Sequence, residues 1–134
     1  SDNDWETITK GGDKKIQEWI DSQLDGKSCT IVLIDKNTAG RKWINYEIRK
    51  TWNDGKGLLG IYIHNLRNAD GDQTDKGSNP FEGFTVGEGK DVKKLSSIVK
   101  AYDPPYSSSQ NVYDYIKKNL ADWIEEAIEI RNKY

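Results

Sequence analysis

Glu47 stands four residues after Trp43 in the stretch from Cys29 to Trp52, CTIVLIDKNTAGRKWINYEIRKTW. On a helix that spacing puts an aromatic plane and a carboxylate one turn apart on the same side. Such a pair could act as a stacking platform and a fixed negative charge, and a fixed charge can stabilise positive charge that develops on a reacting substrate. The same spacing also suits a Trp43 packed on a sheet and a Glu47 paired with Arg41, Lys50 or Lys14 on a solvated helix face.

Both readings require the same scaffold. Cys29 to Ile34 are six consecutive apolar or β-branched residues without period-2 alternation, as expected of a strand covered on both faces. Asp35 to Gly40 breaks the run, and Asn37 or Thr38 could cap the helix that follows. Ile44, Ile48 and Trp52 then recur every four residues as the apolar stripe of that helix. Ligands of open α/β sheets bind outside the carboxyl ends of strands, so the loop from Asp35 through Thr38 to Arg41 is the expected place for contacts to a substrate.

On either side of this stretch the pattern alternates between helix and strand. Ile16, Trp19, Ile20 and Leu24 mark a helix from Asp13 that Asp25-Gly26 stops, while Trp5 and Ile8 form a lead-in. Leu58 to Ile63, LLGIYI, is a second continuous apolar run, expected to lie beside the first as a parallel strand. His64 to Lys94 is polar and glycine-rich, long enough to be functional or to contain small hairpins. Leu95 to Tyr102 holds a short edge strand, and Ser107 to Gln110 caps a last helix with Val112, Ile116, Leu120, Trp123, Ile124, Ala127 and Ile130 on its apolar face. The alternation defines an α/β class with a parallel sheet. Two strong strands are fewer than a sheet of mean size contains.

The composition narrows the function. Of 134 residues, 20 are Lys or Arg and 22 are Asp or Glu, with the signs interspersed and a net charge of -2. Neither a nucleic-acid nor an anionic-membrane partner gains support. No run approaches the roughly 20 apolar residues of a membrane span and no signal-peptide pattern opens the chain, so a cytoplasmic protein is expected. The single cysteine, Cys29, excludes an intrachain disulfide and reads as a small hydrophobe in a strand. With one His and one Cys, a structural zinc site is excluded, and His64 suits a ligand contact or a cap better than catalysis. Gly55-Lys56-Gly57-Leu58-Leu59-Gly60 spells G-x-G-x-x-G but precedes a strand instead of following one, so it reads as a helix stop and strand entry. Asp70, Asp72 and Thr74 imitate a calcium loop, but Asp75 and Phe81 stand where glycine and glutamate are needed.

At TIVLIDKNTAGRKWINYEI, GKGLLGIYIHNLRN and KGSNPF the sequence resembles the bacterial TIR-like domain family that includes the TIR protein of the Thoeris antiphage system. The likeness runs from about Trp5 to Tyr102, and the last helix fits it. It implies a flavodoxin-like fold with helices on both faces of a parallel sheet, in one domain over residues 1 to 134. It also implies NAD as substrate, with no further cofactor, Glu47 as the residue that cleaves it and Trp43 beside the nicotinamide. Asp35, Thr38 and Arg41 become substrate contacts by position, Asp35 standing where relatives often have glycine. The implied product is a cyclic ADP-ribose-type messenger for a separate effector, with TIR self-association or a phage-derived trigger as further partners. The family's first strand and loop should lie ahead of Trp5, so this chain is expected to lack them, leaving an edge that is poorly soluble or recruits a replacement strand. Two other readings remain: a non-catalytic TIR interaction module, and a transferase acting on nucleoside N-glycosidic bonds.

Overall fold

The computed structural model describes residues 18–68 and 70–134. Trp5, Ile8 and the start of the first helix lie outside the described residues. The helix is present over 18–23 (α1), followed by β1 (Cys29–Ile34), α2 (Lys42–Asn53) and β2 (Gly57–Tyr62). Two-residue strands follow at β3 (Thr85–Val86), β4 (Lys93–Lys94) and β5 (Ala101–Tyr102), and the chain ends in α3 (Ser109–Asn132).

β1 and β2 pair in parallel, Cys29 opposite Gly57 through Ile34 opposite Tyr62, and β5 adds in parallel to the far side of β2. The missing alternation in both apolar runs now has its cause, because successive residues enter two separate cores. Cys29, Ile31, Leu59, Ile61 and Ile63 face one core with Ile20 of α1 and Val112, Ile116, Leu120, Trp123, Ile124 and Ala127 of α3. Val32, Ile34, Leu58 and Tyr62 face the other with Ile48 of α2, Phe81, Leu95 and Val99. Helices therefore cover both faces, and the fold is of the α/β class.

The long polar region is ordered by the means expected of it. β3 and β4 form an antiparallel hairpin, and Asn79 accepts the Phe81 N–H (2.9 Å) to cap a 3-10 turn that buries Phe81 against the sheet. The Asp70 segment is a turn held by Asn68, whose Oδ1 accepts the N–H groups of Asp70 and Asp72, both at 3.0 Å. Gly55 stops α2 with a φ of 73°, and at Gly57 a Cβ would lie 2.8 Å from the backbone nitrogen of Ile128, so α3 rests directly on the strand entry. The G-x-G-x-x-G letters thus serve packing.

Ser108 caps α3 by accepting the Asn111 N–H (3.2 Å). At the other end of that helix, the Arg131 guanidinium donates twice to the Trp52 carbonyl (3.0 and 2.8 Å), which also accepts the Gly55 N–H (3.0 Å), and so ties the end of α3 to the end of α2. β1 and β5 are the two edges of this sheet, and the outer side of β1 has no hydrogen-bonded strand among the described residues.

Candidate active site

The loop after β1 is a tight knot around one hydroxyl. Thr38 is buried at 4% exposure, its Oγ1 accepts the Asp35 N–H (2.9 Å), and its proton lies within reach of both Asp35 Oδ1 (2.9 Å) and the Leu33 carbonyl (3.2 Å). Asp35 Oδ1 also accepts the Asn37 N–H (2.9 Å). Neither Asn37 nor Thr38 caps α2, contrary to the expectation from residue type. Arg41 occupies the N-cap in an extended conformation without a side-chain cap, because the Thr38 hydroxyl is already committed to the strand end.

The loop is held from the other side by the segment containing KGSNPF. A Cβ on Gly77 would run into the Asp35 carbonyl oxygen, so only glycine permits that approach. Lys36 and Asp75 form an ion pair at 4.0 Å. Lys76 bridges Asp103 (2.9 Å) and the face of Tyr62 (4.5 Å to the centroid), and the Asp103 carboxylate holds its pKa above the usual ammonium value. Residue types signalled turns here, but the long-range contact of Gly77 with Asp35 left no local mark in the sequence.

Beyond Arg41, α2 turns back along β1, as a helix in a strand–helix–strand unit must. Ile48 and Thr51 are its buried positions, and Thr51 Oγ1 donates to Thr30 Oγ1 (3.0 Å), fixing the helix against the strand. That rotation carries Trp43 and Glu47 to a groove of about 480 Å³ along the outer edge of β1, shared with Asp21 and Leu24 of the first helical segment and its end, and with Ile44. Asp35, Thr38, Arg41 and His64 are not among the residues lining it. The groove follows the strand edge instead of crossing the carboxyl ends, because the helix returns alongside the strand before it presents Glu47.

Trp43 does not pack on the sheet. It is 68% exposed and stacks on Tyr46, with ring centroids 5.3 Å apart and planes at 26°. Glu47 is half-buried, and among the described residues neither Arg41 nor Lys50 forms an ion pair with it; Lys50 pairs instead with Asp54 at 3.1 Å, and Lys14 lies outside the described residues. Tyr46 is the residue that sequence reasoning missed, although its position three residues after Trp43 marks it as a helix-surface neighbour.

His64 follows β2 half-buried, its ring edge-on to Tyr62 (6.2 Å between centroids) and its Nδ1 buried without a hydrogen-bond partner. Cys29 is buried, and desolvation, reinforced by the Glu125 charge, pushes its thiol up to about 12. A thiol so placed is an inert part of the core.

Parallel strands with helices on both faces, and a helix-borne aromatic and carboxylate beside a strand edge, define an α/β domain with a candidate ligand groove along β1. Residues 1–68, which include Trp43 and Glu47, match the family described as Thoeris protein ThsB, TIR-like domain, and the chain belongs to that family. It is 34% identical over 91 residues, 68% of its own length, to a protein of Bacillus cereus (strain MSX-D12) named "Putative cyclic ADP-D-ribose synthase ThsB1". The chain spans about half, 47%, of the length of that relative. Among the described residues no helix is long and apolar enough to cross a membrane.

Proposed function

We propose that this chain is the catalytic TIR-like part of an enzyme that cleaves NAD and closes the remainder into a cyclic ADP-ribose-type signal for antiphage defence. The observation that carries the reading is the placement of Trp43 in one groove of a ThsB-family domain with a Glu47 that forms no ion pair among the described residues. Its relative's name supplies the product class.

The chemistry asks for little more than one carboxylate. Ordinary glycosides need a second carboxyl group to protonate the leaving oxygen. In NAD the bond from the ribose C1′ to nicotinamide breaks with its electron pair returning to an already cationic ring, so neutral nicotinamide leaves without an acid. Glu47 stabilises the oxocarbenium-like ribose that results. An adenine nitrogen or ribose hydroxyl of the same molecule then bonds to C1′ and one proton is released, giving the cyclic product; water in its place gives ADP-ribose. Trp43, buttressed by Tyr46, supplies the stacking surface for nicotinamide. Asp35, Arg41 and Thr38 act through the loop that sets the start of α2. The reaction draws on the cytoplasmic NAD pool, a separate effector reads the product, and a phage-derived trigger or TIR self-association switches it on.

The test is NAD turnover, with product mass spectrometry, by the full-length protein under its trigger. Glu47→Gln keeps shape and removes charge, so turnover falls about a hundredfold or more with NAD binding nearly unchanged. Trp43→Ala weakens binding and rate together, since both ground and transition states touch it. Parent-like turnover by Glu47→Gln refutes the assignment. The exposed Trp43–Tyr46 stack would then favour a non-catalytic interaction module.

A further inference from the structure

The far end of α2 carries a second site. Two adjoining cavities of about 310 and 460 Å³, both bordered by Trp52, Val86 and Gly87, lie between the end of α2, the β3–β4 hairpin and the end of α3. Their combined size falls in the range of small-ligand sites.

Cations outnumber carboxylates around them, although the chain as a whole has a net charge of -2. Arg49, Lys93 and Arg131, from three different elements, line these cavities, and among the described residues none of them pairs with a carboxylate. Their sequence neighbours behave differently: Lys50 pairs with Asp54 and Lys94 with Glu82, each at 3.1 Å. Arg49 in one cavity and Lys93 and Arg131 in the adjoining one, none of them paired with a carboxylate among the described residues, create a positive potential that an anion would neutralise. Arg131 is also preset. Its Nε and Nη2 donate to the Trp52 carbonyl and its guanidinium lies 4.3 Å from the Trp52 ring centroid, leaving three N–H groups for a ligand. Arg49 is braced over the Phe84 ring at 5.7 Å. Tyr134, 57% exposed and 6.0 Å from Trp52 between ring centroids, supplies an aromatic plane, and Asp91 supplies an acceptor.

We propose that this groove binds a nucleotide, its phosphates held by Arg49, Lys93 and Arg131, its base on the exposed ring of Tyr134 and its ribose hydroxyls donating to Asp91. Cations alone would describe any anion; the aromatic plane and the lone acceptor beside them select one that carries a base and a sugar. The site is built from the end of the helix whose beginning carries Trp43 and Glu47, and it stands independently of the role given to those residues.

Isothermal titration calorimetry of the full-length protein with ADP, adenosine and inorganic phosphate at low ionic strength tests it. ADP should bind at least about tenfold more tightly than either fragment. Arg49→Gln combined with Lys93→Gln, both on exposed side chains, should weaken ADP about tenfold or more without lowering the melting temperature. Lys27→Gln, which breaks an exposed ion pair with Glu125 away from the groove, should leave ADP affinity unchanged. ADP binding no tighter than phosphate would reduce the groove to a simple anion patch and overturn the proposal. Unaltered affinity in the double variant, equal loss of ADP binding in Lys27→Gln, or tighter binding of a poly-glutamate peptide than of ADP would each overturn it as well.

Discussion

Replacing Thr38 by valine should destabilise this protein out of proportion to a change that preserves the side chain's shape. The hydroxyl accepts the Asp35 N–H at 2.9 Å and supplies a proton to Asp35 Oδ1 or the Leu33 carbonyl, all at a position only 4% exposed. Valine removes both roles and leaves the backbone groups of the strand end short of partners with little water to replace them. One net hydrogen bond contributes about 1 kcal/mol, and a buried group left unsatisfied costs about 1–3 kcal/mol, so a loss of about 2 kcal/mol is expected. Asp35 lies partly in solvent, so its carboxylate rehydrates and adds little to that sum. For a chain of this size the loss corresponds to a melting temperature lower by about 6–10 °C. Urea unfolding followed by tryptophan fluorescence gives the free energy directly, and Thr38→Ser is the control. Serine keeps the hydroxyl and loses one methyl, a change of about 1 kcal/mol or less. A valine variant as stable as the parent would refute the reasoning, as would a serine variant that loses as much as valine, since methyl packing would then be the cause.

Other perturbations probe the packing around the site. Gly57→Ala places a Cβ 2.8 Å from Ile128 N and 2.9 Å from the Ala127 carbonyl carbon, both backbone atoms, so α3 must shift; a loss of about 1–3 kcal/mol by urea unfolding is expected, and an unchanged midpoint would show that the helix does not rest there. Cys29 is pushed by burial from 9.0 to about 12, so in the alkaline range the unfolded chain releases a proton that the folded chain retains. Stability attributable to the thiol is therefore complete below about pH 9 and declines as pH rises from there toward 12. Tyr102 is raised too and keeps a slope of the same sign in every variant, so urea midpoints across that range should fall more steeply in the parent than in Cys29→Val, and the parent's thiol should resist alkylation at pH 8 until it unfolds.

Much of this architecture is written locally. Cys29 to Ile34 and Leu58 to Ile63 lack alternation because their residues enter two cores in turn, the pattern expected of a strand covered on both faces, and β1 and β2 pair in parallel accordingly. The stripe from Val112 to Ala127 and the Ser108 cap are equally local, since a 3.6-residue period and a side-chain oxygen at a helix start need no knowledge of the rest of the chain. The spacing of Trp43 and Glu47 fixed that they share a side of α2. Which surroundings that side meets was decided by tertiary contacts: the Thr51–Thr30 bond and burial of Ile48 set the rotation of the helix, and so turned Glu47 toward the edge of β1 while leaving Trp43 exposed against Tyr46. Thr38 has the residue type of a cap, yet its hydroxyl went to Asp35 because the strand end and the cap position compete for one oxygen. Gly77 beneath the Asp35 carbonyl, and Arg131 on the carbonyl of Trp52, join residues 42 and 79 positions apart. Contacts at that separation arise only when the chain closes on itself, and no local period or turn signal encodes them.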